Sequence, residues 1–437
     1  MDKKSLLLAV MFLCTTFGWG IEPLKIDEIQ WYTPDLYKKP PKSGVAYGWN
    51  AIDTKWLYMK ALAMIAFDYN HFHQDQKNIE TVGELESYNR WDIRGARAGV
   101  AGSIHFSRPW SYLISGTLNH WSKTFDERNQ GKYDILDCMV SIPLWGEYGR
   151  IQLGKMKEPV SMERVMGMVF EQTMERPMHL DALLPSRNIG IALLDTLYDG
   201  RLRWRIGIFN DWIERDDSSF FENNIVYAGR LTGLPYEDVG KKQLVHIGGS
   251  FRYEDVKRGS VRYDVGPENW FVDSWLDTGE IPADATQTAN LEITYLNGPL
   301  WLASEYTATR VDSPKMDDPF FSGWHVTFNY FLTGEYRGYN YQRGTVRRII
   351  PQENFFGGGW GALELSLRYS TLDLDSKEVH GGKMQITSAG FIWHPMRETQ
   401  FHIQFSHAEL DSFNPANSRS TGGNANIIQL RWLIIVD

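Results

Sequence analysis

Arg201, Arg203 and Arg205 alternate with Leu202, Trp204, Ile206 and Ile208. Alternation at period two puts the arginines on one face of a strand and the apolar side chains on the other. Like charges at i, i+2 and i+4 lie about 7 Å apart. They repel unless water, counter-ions or carboxylates screen them. Two arrangements fit this stripe. It is either a track for anions or a structural ladder paired with inward carboxylates, for which Glu292, Glu305 and Glu364 are candidates. Lys155 and Lys157, with Arg164 and Arg176 further along, add basic groups in a second stretch.

Other groupings are weaker. His71 and His73 share a strand face and offer two metal ligands, with no third in evidence. Gly357 to Ala362 loosely fits a dinucleotide-binding glycine pattern, which needs a strand before it and a helix after it. The next residues, Leu363 to Arg368, alternate like a strand. Asp373 and Asp375 read as solvated charge at a strand end. No Gly-x-Ser-x-Gly or related nucleophile signature occurs. The cysteines are Cys14 and Cys138, and Cys14 falls in a segment expected to be removed. That excludes an intramolecular disulfide and a four-cysteine zinc site. No catalytic residue, cofactor or metal is therefore expected, although a hydrolase with a dispersed Ser/His pair stays open.

The elements that must position the basic residues emerge from composition and pattern. The chain has 437 residues, 14% of them aromatic, and a net charge of −9. Its mean hydropathy is −0.37, too low for a bundle of transmembrane helices. The acidic balance argues against a nucleic-acid partner, which would need a basic excess. Residues 1–20 read as a secretory signal peptide: Lys3 and Lys4, an apolar run from Ser5 to Phe17, then Gly18 and Gly20 before a cut. With that segment removed the charge becomes −10, because Asp2, Lys3 and Lys4 carry +1 together. Residues 21–55 read as an irregular, proline-containing arm, and residues 56–437 as a transmembrane β-barrel.

The barrel reading rests on sixteen predicted strands. They fall at about 56–72, 92–106, 110–122, 132–142, 150–156, 188–197, 201–211, 224–234, 243–255, 286–297, 300–311, 323–333, 359–373, 383–394, 398–411 and 423–436. Tight turns are expected at 107–109, 198–200, 297–299 and 395–397. Longer loops are expected at 73–91, 123–131, 157–187, 212–223, 256–285, 312–322, 374–382 and 412–422. An even number of antiparallel strands, with short turns at one end and long loops at the other, is what an outer-membrane barrel requires. A water-soluble β-sandwich or lectin also alternates. The signal peptide, the aromatics near strand ends and the loop asymmetry favour the barrel.

The stretches between strands carry a resemblance. In order they are Gly154-Lys155-Met156-Lys157-Glu158-Pro159, Met174-Glu175-Arg176, Phe209-Asn210-Asp211 and Arg230 to Pro235. Then come Asp277-Thr278-Gly279, Tyr330 to Glu335, Gly358 to Glu364 and Arg368-Tyr369-Ser370. Over residues 56–436 the chain resembles the phosphate-selective porins O and P. The resemblance implies a homotrimer of sixteen-stranded antiparallel barrels in the cell outer membrane, with the segment after Lys155 folded into the pore. It also implies passage of small anions such as phosphate past lumen arginines and lysines. By position, Arg94 matches a lumen arginine, Asp137 an acidic residue near the constriction, Arg164 a constriction lysine and Arg176 a loop arginine. Asn340 and Ile350 stand where phosphate-specific members carry lysines, which puts phosphate selectivity in question. The chain ends at Asp437, where such barrels usually end in an aromatic residue.

The functional expectation is an outer-membrane diffusion porin for small anionic or polar solutes. It performs no chemistry and is lined by Arg94, Arg164, Arg176, Arg201, Arg203, Arg205, Lys155, Lys157 and Asp137. The alternatives are a surface-binding or adhesive barrel with a blocked lumen and, from another class, a barrel enzyme. Met156, Met162, Met166, Met168, Met174 and Met178 lie within or beside 157–186. They make that segment too apolar for a free surface loop and send it into the lumen.

Overall fold

A computed structural model describes residues 50–118, 133–146, 149–211, 223–414 and 419–436. Sixteen strands form a closed antiparallel sheet. They are β1 Leu57–Gln74, β2 Trp91–Ile104, β3 Trp110–Leu118, β4 Tyr133–Trp145, β5 Gly149–Lys157, β6 Arg187–Leu197, β7 Leu202–Asn210 and β8 Ile225–Asp238. The second half comprises β9 Gln243–Asp255, β10 Ala285–Asn297, β11 Leu300–Asp312, β12 Phe320–Phe331, β13 Ala362–Ser376, β14 Val379–Met396, β15 Thr399–Asn414 and β16 Arg419–Val436. Each strand pairs with its sequence neighbour, and β16 closes onto β1 with Phe67 opposite Trp432. Closure satisfies the ladder without an edge, which lipid demands because it supplies no hydrogen-bond partners. The signal segment 1–20, most of the arm 21–55, Asp437 and the loop 123–131 lie outside the described residues, as does most of 212–223. The described part of the arm, Ala51–Asp53, pairs with β1.

The two faces obey the alternation. Ile206, Ile208, Trp324, Val326, Leu367, Ile403, Phe405, Ile428 and Trp432 are exposed on the outside, where lipid would cover them. Their neighbours Arg205, His325, Thr327, Ser366, Arg368, Gln404, Gln429 and Arg431 are buried, facing in.

Three expected loops contract. The 374–382 loop is a turn of two residues between Ser376 and Val379. The strands run on because Leu372, Leu374, Val379 and Met384 turn inward to a buried apolar cluster with Phe321, Leu276 and Ile281. Likewise 312–322 shortens to 313–319, and 412–422 shortens to 415–418.

The short-turn end carries one long connection. β12 and β13 are joined there by thirty residues, 332–361, close to the 334–358 interval that the predicted strands leave between them.

Candidate functional site

Segment 158–186 leaves β5 and contains two short helices, α1 Met162–Val165 and α2 Met178–Leu183. Its backbone is held by inward-facing side chains. Glu163 N donates to Glu305 Oε1 on β11 at 2.9 Å, and Met174 N donates to Gln404 Oε1 on β15 at 2.9 Å. Met178 N donates to Glu268 Oε1 at 3.1 Å. Partners on β11, on β15 and in the 256–284 connection place this segment inside the barrel. Its methionines do the packing: Met162, Met166, Met168, Met174 and Met178 are all buried. Met162 and Met166 meet Leu244, Leu296 and Trp301, while Met168 meets Ala66 and Leu433 on the far wall. Flexible thioethers fill such irregular gaps well.

A second segment, 332–361, enters from the turn end. Arg337 Nη2 donates to both Glu364 oxygens at 3.0 Å, and its guanidinium lies 4.5 Å from the Trp301 ring centroid. Tyr339 Oη is 2.6 Å from His246 Nδ1. Arg230 Nη2 donates to Gly344 O at 2.7 Å. Tyr339 and Val346 share an apolar cluster with Met162 and Met166, so the two inserted segments meet inside the barrel. The signal for this insertion was present in the sequence. Arg337, Tyr339, Tyr341, Arg343, Arg347 and Arg348 are too many charges and rings for a simple turn. Asn340 and Ile350 both lie in this segment, half-buried.

The charged groups sort into pairs. Arg94 grips Glu175 through Nε and Nη2 at 2.5 and 2.7 Å. Arg431 bridges Asp68 at 2.7 Å and Glu175 at 2.9 Å. Burial opposes ionisation of Glu175, but Arg94 and Arg431 hold its carboxyl down to about 2. Arg187 binds Asp137 at 3.0 Å, Arg176 binds Glu171 at 2.6 Å, and Arg164 pairs with Asp181. Lys157 donates to the carbonyls of Arg164, at 2.9 Å, and Met166. Arg97 forms no ion pair among the described residues. Its electrostatic neighbours are Arg94, Arg187 and Arg176, with Glu171 the acidic one.

The stripe on β7 is placed differently. Arg203 and Arg205 face in and are buried, while Trp204 is half-buried and Ile206 exposed on the other face. Arg201 stands 3.5 Å from Glu237. Arg203 Nε donates to Gln342 O at 2.5 Å, and Arg205 Nη2 lies 3.1 Å from Met156 Sδ. The candidate carboxylates have other partners. Glu292 takes Arg230 and His246, Glu364 takes Arg337 and His394, and Glu305 takes Glu163 N and Asn290. Lys155 is buried and pairs in register with Cys138 and Ile189.

Partial exposure of inward-facing side chains is kept on one side of the lumen. Arg97, Leu113, Ser115, Met139, Lys157 and Arg187, on β2 to β6, are half-buried. Those on β10 to β13, such as Asn290, Glu292, Thr307, His325, Asn329 and Arg368, are fully covered. The basic residues Arg94, Arg97, Lys157, Arg164, Arg176 and Arg187 gather where exposure remains.

Arg97 and Arg187 were not among the sequence candidates, nor were Arg230, Arg368 and Arg431. Arg94 and Arg97 are three residues apart and would face opposite sides of a regular strand. An irregularity in the β1–β2 register between Ala66 and Phe67 brings both into the lumen. Arg431 could have been found, since it shares the inward face of the terminal strand with Gln429, opposite Ile428, Leu430 and Trp432.

A family model described as phosphate-selective porin O and P matches residues 65–433. A protein of Caulobacter vibrioides, described as uncharacterized, is 28% identical over 283 residues, covering 62% of this chain and 56% of that relative. The match thus spans little more than half the relative's length. Among solved structures, in-vitro folded OmpT, an outer membrane protein of Vibrio cholerae, superposes with a TM-score of 0.54 at 9% identity. That match covers 88% of this chain and 99% of the other. An anion-selective porin from Comamonas acidovorans gives 0.51 at 11% identity, covering 86% and 99%. At these identities the two structures speak for the fold.

Proposed function

This barrel belongs to the phosphate-selective porin O and P family of the outer membrane, and from that premise we propose that it is a diffusion porin favouring small anions. One observation carries the reading. Five arginines, Arg94, Arg97, Arg164, Arg176 and Arg187, gather beside the partly exposed wall, against four carboxylates, Asp137, Glu171, Glu175 and Asp181. Arg97 supplies the excess. A pore between low-dielectric walls focuses such a local field. The net charge of −9 includes distant acids, which salt screens beyond about 8–10 Å. Solutes are sorted by charge and width, and no bond is made or broken. The protein acts as a homotrimer, as the resemblance implies. Phosphate is one anion among others, because Asn340 and Ile350 bring no charge to the second inserted segment.

The test is single-channel recording in planar bilayers under a KCl gradient, then with phosphate added. A reversal potential on the chloride side supports the reading, and one on the potassium side refutes it. The burial of the β10–β13 face favours one second reading, a surface-binding barrel with a blocked lumen. A folded, inserted protein without conductance would establish that alternative.

A further inference from the structure

Two histidines outside the cation cluster hold the inserted segment to the opposite wall. His179 Nε2 in α2 is 2.9 Å from His325 Nδ1 on β12, and the ring centroids are 5.2 Å apart. His179 Nδ1 lies 3.1 Å from Thr307 Oγ1 on β11, which receives Asn290 Nδ2 at 3.0 Å. His325 Nε2 stands 3.3 Å from Glu163 Oε1 in α1. Both rings are completely buried. The wall is shaped for this approach. A Cβ at Gly323 would meet His179 Cβ at 2.4 Å and Thr371 O at 2.5 Å.

One set of protons fits these contacts. With Asn290 donating to Thr307, the Thr307 hydroxyl is free to donate to His179 Nδ1. His179 Nε2–H then donates to His325 Nδ1, and His325 Nε2–H points at Glu163. With both imidazoles neutral, this network gives three of the four ring nitrogens a hydrogen-bond partner and leaves His325 Nε2 facing Glu163 without one.

We infer that His179 and His325 are positioning residues that fix the inserted segment against β11 and β12, and that their joint protonation in acid releases it. The inference rests on the reading that segment 158–186 bounds the solute path. A first proton is absorbed by reversing the network. His325 becomes an imidazolium beside Glu163, and His179 moves its single proton to Nδ1. A second proton puts hydrogens on both facing nitrogens, and the contact is lost.

The surrounding charges bear on this. Arg368 on β13 lies 3.6 Å from Glu163 and 3.5 Å from Glu268, and Glu305 accepts from Glu163 N. Arg176 lies in the field of Glu163. Glu163 favours one imidazolium at His325, while Arg368 disfavours a second at His179. Burial, then His325 and Arg368, keep the His179 pKa well below its ordinary 6.5. The release therefore belongs to distinctly acid pH.

Hydrogen exchange of residues 160–182, corrected for intrinsic rates, tests this on the full barrel in detergent from pH 7.5 to 4.5. Wild type should show exchange rising up to about tenfold per pH unit on the acid side. H179Q and H325Q cannot form the imidazolium pair. They should exchange independently of pH and conduct like wild type at pH 7.5. An acid response retained in both variants, or absent from wild type, overturns the inference. So does a response abolished by E268Q alone, which would make Glu268 the sensor. Ion selectivity is measured separately, so a channel lacking anion preference refutes the porin reading and leaves this result intact.

Discussion

Replacing Arg97 by glutamine removes one charge from the partly exposed wall while keeping length and hydrogen-bonding capacity. Arg97 has three arginine neighbours and no ion-pair partner among the described residues, so its field is not cancelled locally. At roughly 6 Å from a permeating chloride in water-filled surroundings, one charge is worth about 0.7 kcal/mol. That corresponds to about a threefold change in relative permeability. Arg201 is the contrast. Glu237 lies 3.5 Å from it, so R201Q removes half of a near-neutral pair and should change selectivity far less. Both variants would be read by reversal potential in a KCl gradient beside wild type. An unchanged anion preference in R97Q would refute the reasoning, as would an equal loss in R201Q. Either result would move the selecting field away from β2.

The same contacts carry other consequences. Deleting residues 160–172 should raise single-channel conductance, and an unchanged conductance would take that segment out of the current path. E364Q strips Arg337 and His394 of a fully buried carboxylate. It should cost about 3–5 kcal/mol, as breaking a buried pair does, seen as a lower temperature for the heat-induced mobility shift on SDS gels; an unchanged temperature would deny the pair that role. Glu175 is held down to about 2 from an ordinary 4.5, so its contribution is complete above about pH 4.5 and is lost as pH falls toward 2. That amounts to about 3 kcal/mol at neutral pH. E175Q should be less stable at pH 7 and show a flatter stability curve between pH 5 and 2, and a curve parallel to wild type would contradict this.

The wall of the barrel is legible in the residues alone. Period-two alternation, as in Leu363 to Ser370 or Ile428 to Val436, fixes which side chain meets lipid and which faces in, because a strand has only two faces. The buried methionines of 158–186 were legible for the same reason, since so apolar a segment needs something to pack against. The ends of β13 and β14 were misjudged because Leu372 and Leu374 owe their burial to Leu276 and Ile281, about ninety residues away in the chain. Segment 332–361 was missed as an insertion because Arg337 and Tyr339 look solvated until Glu364, His246 and Trp301 are seen around them. Arg97 entered the lumen through a register irregularity that no alternation pattern records. The charge balance of the interior was also settled in three dimensions. Whether Arg201, Arg203 and Arg205 are screened depends on Glu237, Gln342 and Met156, which closure of the barrel and the two inserted segments bring to them.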